Sequence, residues 1–280
     1  MTASKTPLST RLWVTAVWVL VGFFVLNLAG LIGSVLTSSF ATRWLGTWLP
    51  AGFTTKWYFA AWDEFQLGDV LWVTFQVVGS VVALSGLVGV PAAYALARRE
   101  FPGKKAVMLL LLLPLLVPPV TYGIPLATVL YKSGLGGSLA GVILANLVPT
   151  VPFVVLVMIP FIEQIDPRIE AAARVFGAST AKVFVYVLVP ILLPGVLAAL
   201  LLVLVRTIAM FELTFLVAGP GSQTLVVALY YAVFAAGVRA VQSIDAMAVI
   251  YMITTLIWLI IALRFVNPTQ IVARAKRSDH

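Results

Sequence analysis

Glu163-Gln164-Ile165-Asp166-Pro167-Arg168-Ile169-Glu170-Ala171-Ala172-Ala173-Arg174-Val175-Phe176-Gly177-Ala178-Ser179-Thr180-Ala181-Lys182 is a polar interlude between two apolar runs, residues 138–162 and 188–211. The Asp166 carboxylate suits the free N–H groups that open a helix, and Pro167 has the fixed φ of a first helical position, so a short helix starts here. Gly177 supplies the left-handed turn that stops it, and Ser179 or Thr180 can cap a second helix. The centre is small and apolar at Ala171, Ala172 and Ala173, with Phe176 and Phe184 nearby, a surface suited to a partner's groove rather than to water. Each flanking run reaches the ~20 apolar residues that a helix needs to cross a bilayer. The stretch therefore predicts a helix–turn–helix outside the membrane, joining two spans of an all-α integral membrane protein.

Outward from this hinge the chain keeps the same character. Of its 280 residues, 62% are hydrophobic and 10% charged, whereas a soluble domain carries about 25% charged residues. Spans are expected at residues 12–36, 67–97, 106–130, 138–162, 188–211 and 246–266, with the hinge at 163–187, so residues 1–280 read as a single transmembrane domain. The first run follows Lys5 and Arg11, is longer than the ~7–15 residues of a secretory h-region and lacks a clear small-x-small cleavage site before the polar stretch, so an uncleaved anchor is expected. Residues 37–66 hold Trp44, Trp48, Trp57, Tyr58 and Trp62, the composition of a segment at the outer interface.

The formal charge of +8 reads as topology rather than as nucleic-acid binding. One side of the six spans collects Lys5, Arg11, Arg98, Arg99, Lys104, Lys105, Arg168, Arg174, Lys182, Arg274, Lys276 and Arg277. The other collects Arg43, Lys56, Lys132 and Arg239. Basic residues in short loops stay on the cytoplasmic side, so both termini are expected there and the span count is even. With no cysteine and one histidine, His280, thiolate metal sites and histidine chemistry inside the membrane are excluded.

Prolines crowd the apolar runs, at 91, 114, 118, 119, 125, 149, 160, 190 and 194. Most read as kinks whose freed carbonyls find partners inside the bundle. The cluster at 114–125 is denser than kinking needs and points to a span broken beside a transport path. Glycines 79, 86 and 89 suit close helix packing.

Ala172-Ala173, three residues, Gly177, nine residues and then Val187-x-Val189-Pro190 resembles the EAA motif of permease subunits in binding-protein-dependent ATP-binding-cassette importers of type I fold. The family pattern is Glu-Ala-Ala, three residues, Gly, nine residues, Ile-x-Leu-Pro. Counted back from Gly177, its glutamate falls on Ala171, and Glu170 stands one place earlier, a rotation of ~100° on a helix. The resemblance implies that Glu170, Ala171, Ala172, Ala173, Gly177, Ala178 and Pro190 form the coupling segment that docks on an ATPase subunit. It further implies two such ATPases, a second permease subunit forming a heterodimer, an extracytoplasmic solute-binding protein and a bacterial-type inner membrane. No cofactor is expected on this chain, since ATP and Mg belong to the ATPase. The loop Arg98-Arg99-Glu100-Phe101-Pro102-Gly103-Lys104, the aromatic outer segment, Phe211-Glu212-Leu213-Thr214-Phe215-Leu216-Val217 and Arg264-Phe265-Val266-Asn267-Pro268 are similar to the polyamine and ferric-iron branch.

The chain lacks a Gly-x-x-x-x-Gly-Lys-Ser/Thr phosphate loop, so it is not itself the ATP-hydrolysing enzyme. A sugar-type importer permease is the alternative cargo class. An ion-coupled secondary transporter would need charged residues near mid-membrane, and only Arg206, Glu212 and Asp245 offer themselves, in the outer half. Arg206 reads equally as path-facing or as snorkelling to the interface with its stem in lipid. Asn146, like Asn27 and Thr150, reads as an interhelical hydrogen bonder or as part of the path.

Overall fold

The computed structural model describes residues 8–44, 47–234 and 239–265. Helix accounts for 81% of the structure, and the described residues contain no strand beyond an isolated bridge between Ala41 and Phe53. That is the outcome lipid imposes, because a helix satisfies its backbone groups within itself. Among the described residues, five helices are long and apolar enough to cross a membrane, or six when a sharply bent pair is taken as one span. The chain divides into two compact units, residues 1–64 with 235–250, and residues 65–234 with 251–280.

The smaller unit opens with α1 (Leu8–Phe40) and α2 (Lys56–Glu64). Between them the aromatic segment folds on itself. Trp57 Nε1 donates to the Ala41 carbonyl at 2.7 Å, and Trp44 Nε1 donates to the Thr47 carbonyl at 2.7 Å. The start of α12 (Val241–Phe265) belongs here too, where Ser38 Oγ donates to Asp245 and Glu64 accepts from Arg239 and Ser243. Lys5, Arg274, Lys276, Arg277, Asn267 and His280 lie outside the described residues.

The larger unit is built on α3 (Leu67–Arg98) against α6 (Leu139–Glu163). Their contact is close because Gly89 faces α6: a Cβ there would stand 2.7 Å from Val154 Cγ1. Gly86 likewise gives way to Leu200, whereas the third expected packing glycine, Gly79, has open space and plays no such part. The expected span 106–130 is two helices, α4 (Lys104–Leu116) and α5 (Pro119–Lys132), set at 103° to one another. Val117 is extended, as a residue before proline must be, and Pro119 opens the next helix. The dense proline cluster thus breaks the span.

After α6 come α7 (Pro167–Val175), α8 (Thr180–Lys182), a π-helical stretch Val183–Leu188 and α9 (Val189–Ile208). The apolar crossing therefore starts at Thr180, eight residues before the expected boundary, since π-helical geometry carries the hinge straight into the span. It also stops early. Residues 209–211 break the helix before α10 (Glu212–Val217), and a short apolar helix α11 (Leu225–Phe234) follows that the sequence reading left unassigned. At ten residues it is well under the ~20 that a spanning pattern reveals. Its start is held by Thr74 of α3, whose Oγ1 accepts from Leu225 N at 2.8 Å.

Candidate functional site

The hinge between α6 and α9 is capped at each expected position. Asp166 accepts from Arg168 N at 2.9 Å, with Pro167 next to it. At the far end Gly177 sits at φ 83°, Gly177 N donates to Arg174 O at 2.9 Å and Ala178 N to Ala173 O at 3.1 Å. These two bonds are the 5→2 and 6→1 pair of a Schellman stop, which only a left-handed residue can close. Ser179, rather than Thr180, caps the following turn by accepting from Lys182 N.

This geometry sorts the seven expected coupling residues by face. Ala171, Ala172, Gly177 and Pro190 are exposed, and Ala173 and Ala178 are half-buried against the core. Glu170 points the other way. It is 3% exposed, and Arg98 Nε donates to its Oε1 at 2.6 Å while Tyr94 OH and Arg174 Nη2 donate to Oε2 at 2.8 and 3.1 Å. The same Arg98 donates through Nη2 to the Ile165 carbonyl at 2.7 Å. Grouping Glu170 with the alanines misses this division, because on the helix it stands ~100° from Ala171 and ~160° from Ala172, the two that face outward, and only ~60° from Ala173. Phe184 also belongs inside, with its ring 5.2 Å from that of Tyr94. What α7 shows outward is Ala171 and Ala172 between Arg168 and Arg174, ending in Val175 at 84% and its C-cap Phe176 at 90% exposure.

A second polar group lies around α6 and α10. Asn146 is 1% exposed, and its Nδ2 donates to the Val142 carbonyl at 2.9 Å and to Thr214 Oγ1 at 3.1 Å. Its Oδ1 has no hydrogen-bond partner among the described residues, nor has the hydroxyl of Tyr122 on α5. Arg206 is half-buried with its guanidinium 5.5 Å from the Phe153 ring centre on α6. Tyr122 is within electrostatic reach of both Arg206 and Glu212. Arg206 on α9 and Glu212 on α10 stand on separate helices, divided by the break at 209–211. Tyr122, Thr214 and Tyr94 were missed from sequence, since a lone hydroxyl in an apolar run carries no spacing signal. The described residues hold no cluster of three or more His, Cys, Asp or Glu side chains placed to bind a metal.

With both groups of residues in place, comparison with known proteins gives the family. Residues 85–272 match the binding-protein-dependent transport system inner membrane component. This chain belongs to that family. The matched region contains the whole hinge, from Asp166 to Pro190. Among relatives, a probable molybdenum ABC transporter permease protein of Haloferax volcanii is 36% identical over 52% of this chain and 61% of its own length. A melibiose/raffinose/stachyose import permease protein of Bacillus subtilis is 31% identical over 55% of each. The chain spans about half to two thirds of the length of curated relatives such as these. A bacterial ABC transporter structure, described as importing the acidic polysaccharide alginate, superposes with a TM-score of 0.77 at 17% identity, covering 95% of this chain and 100% of that one. At that identity the likeness is one of fold.

Proposed function

We propose that this permease forms half of an alternating-access path for a small solute in an ATP-driven importer, with α7 as the segment that docks on an ATPase subunit. The observation that carries it is the outer face of α7. A nine-residue helix, stopped firmly at both ends, holds Ala171, Ala172, Val175 and Phe176 exposed at the point where two spans meet. An exposed phenylalanine on a rigid, capped helix is the kind of apolar anchor that fills a partner's pocket. Residues 1–280 act together as one permease domain, with α7 on the cytoplasmic side as the Lys/Arg count expects. The other partners are a second ATPase, a second and different permease subunit, and a solute-binding protein that loads the path from outside. ATP and Mg bind on the ATPase.

The solute belongs to the range its relatives' names cover, where molybdenum and oligosaccharides both occur. The polyamine and ferric-iron placement rests on the loop around Arg98 to Lys104 and on residues 211–217. Arg206, Glu212 and Asn146 are the path candidates, and all three touch or adjoin the polar group around α6 and α10.

Replacing Phe176 with Ser tests the docking role. Co-purification of the ATPase and solute uptake in proteoliposomes should both fall steeply, while the amount of chain in the membrane stays constant. Undiminished uptake by this variant would overturn the assignment of α7.

A further inference from the structure

We propose that Glu170 is a positioning residue that never meets the ATPase and instead ties α7 to the last turn of α3 through Arg98, so that α7 and the end of α3 move as one body. The inference rests on the docking role of α7 given above and assigns the step after docking.

The geometry turns Glu170 away from a partner, with three of its roughly four acceptor sites filled from within the chain. Its carboxylate accepts three donors, from Arg98, Tyr94 and Arg174, and its side chain is 4% exposed. Helix termini reinforce the pair, since Arg98 lies in the last turn of α3 and Glu170 in the first turn of α7, where each charge meets the opposite helix-end polarity. Arg98 then spans to the Ile165 carbonyl at the end of the α6–α7 connection, so a single guanidinium holds both the helix and the chain leading into it. Among the described residues, no other ion pair links α7 to a membrane helix. A buried carboxylate with all its donors in place resists separation, because each half would be left charged and unpaired in a poorly solvated site. Force applied to Val175 and Phe176 is thereby delivered to α3, whose Gly89 and Gly86 contacts reach the centre of the larger unit.

The absence of cysteine makes the test direct. Spin labels at Leu87→Cys on the exposed flank of α3 and at Arg168→Cys on exposed α7 report one distance in the assembled importer, nucleotide-free and trapped with ATP. The expected result is one narrow distribution with the same mean in both states. Glu170→Gln should broaden it and sharply lower the solute moved per ATP, with basal ATPase activity and ATPase co-purification retained. Tyr94→Phe, which keeps the ion pair, should give a smaller loss in the same direction and serves where Glu170→Gln accumulates poorly. A distance that changes between states in the parent protein overturns the proposal. So does Glu170→Gln that loses ATPase binding with its distance distribution intact, which would place the carboxylate at the docking surface. Failure of the Phe176→Ser test instead removes the docking role and leaves the distance measurement to be judged by itself.

Discussion

Glu170 and Asn146 are both buried polar side chains of the larger unit, and they differ in how far their hydrogen-bonding capacity is used. Every donor that Glu170 needs is supplied by the protein. Asn146 places its two donated bonds and keeps Oδ1 without a protein partner. A satisfied charge fixes geometry. An unsatisfied acceptor beside Thr214 has bonding capacity left over, which suits the path role proposed for Asn146. The two sites show that buried polar groups of this unit fall into two kinds, one with its bonding capacity used and one with an acceptor left over, and that the count of partners separates them.

The sharpest way to break that division is Glu170→Leu. It leaves Arg98 buried and unpaired, which costs about 3–5 kcal/mol in comparable sites. A lowered unfolding temperature in detergent is the expected reading, and Arg98→Met in the same chain should recover most of the loss. If the single substitution is no worse than Tyr94→Phe, the carboxylate is not a structural tie. Next in size is Gly177→Val. At φ 83° with open space around it, the cost is purely of backbone conformation, about 1–2 kcal/mol. Hydrogen exchange at residues 173–178 should rise and uptake should collapse, while Gly177→Asn, which tolerates that φ, should keep both near the parent level.

Much of the hinge was legible because its devices are local. Asp166, Pro167, Gly177 and Ser179 act within a few residues of themselves, so spacing alone predicts their roles. The broken span is legible for the same reason, since Pro118 and Pro119 impose their φ and clashes on the spot. What spacing does not show is which way a residue turns once the helix is packed. Glu170 meets Arg98 across 72 positions of chain, and Asn146 meets Thr214 across 68. Neither pairing leaves a periodic trace. The short helix α11 and the break at 209–211 were hidden for a third reason. An apolar run of uniform composition looks alike whether it crosses lipid or turns back within the bundle, and hydropathy registers only the composition.

Tyr94→Phe is a milder probe of the satisfied site. It removes one of three donors and should cost about 1 kcal/mol, the ordinary worth of such a bond. The two remaining contacts keep the pair closed, so the unfolding temperature should drop slightly and ATPase co-purification should be unchanged.

The smallest expected change in stability carries the most information about the path. Asn146→Leu gives up the bond to Thr214, and interhelical hydrogen bonds within membranes average only about 0.6 kcal/mol. It also deletes an acceptor that had no protein partner, so no group except Thr214 Oγ1 is stranded by the change. If Asn146 serves only to hold α6 against α10, uptake should track the small loss of folded protein and the KM for solute should stay put. If Oδ1 lines the path, KM or maximal uptake should shift several-fold at nearly constant unfolding temperature, because the group lost is one that the fold did not use. Arg206→Lys provides the matching control: it keeps the charge but gives up the flat guanidinium that stacks on Phe153, worth about 0.5–1 kcal/mol at such a contact. A change in uptake for Asn146→Leu with none for Arg206→Lys would place the path on the Asn146 side of α6, and equal changes would extend it along the helix from Asn146 to Phe153.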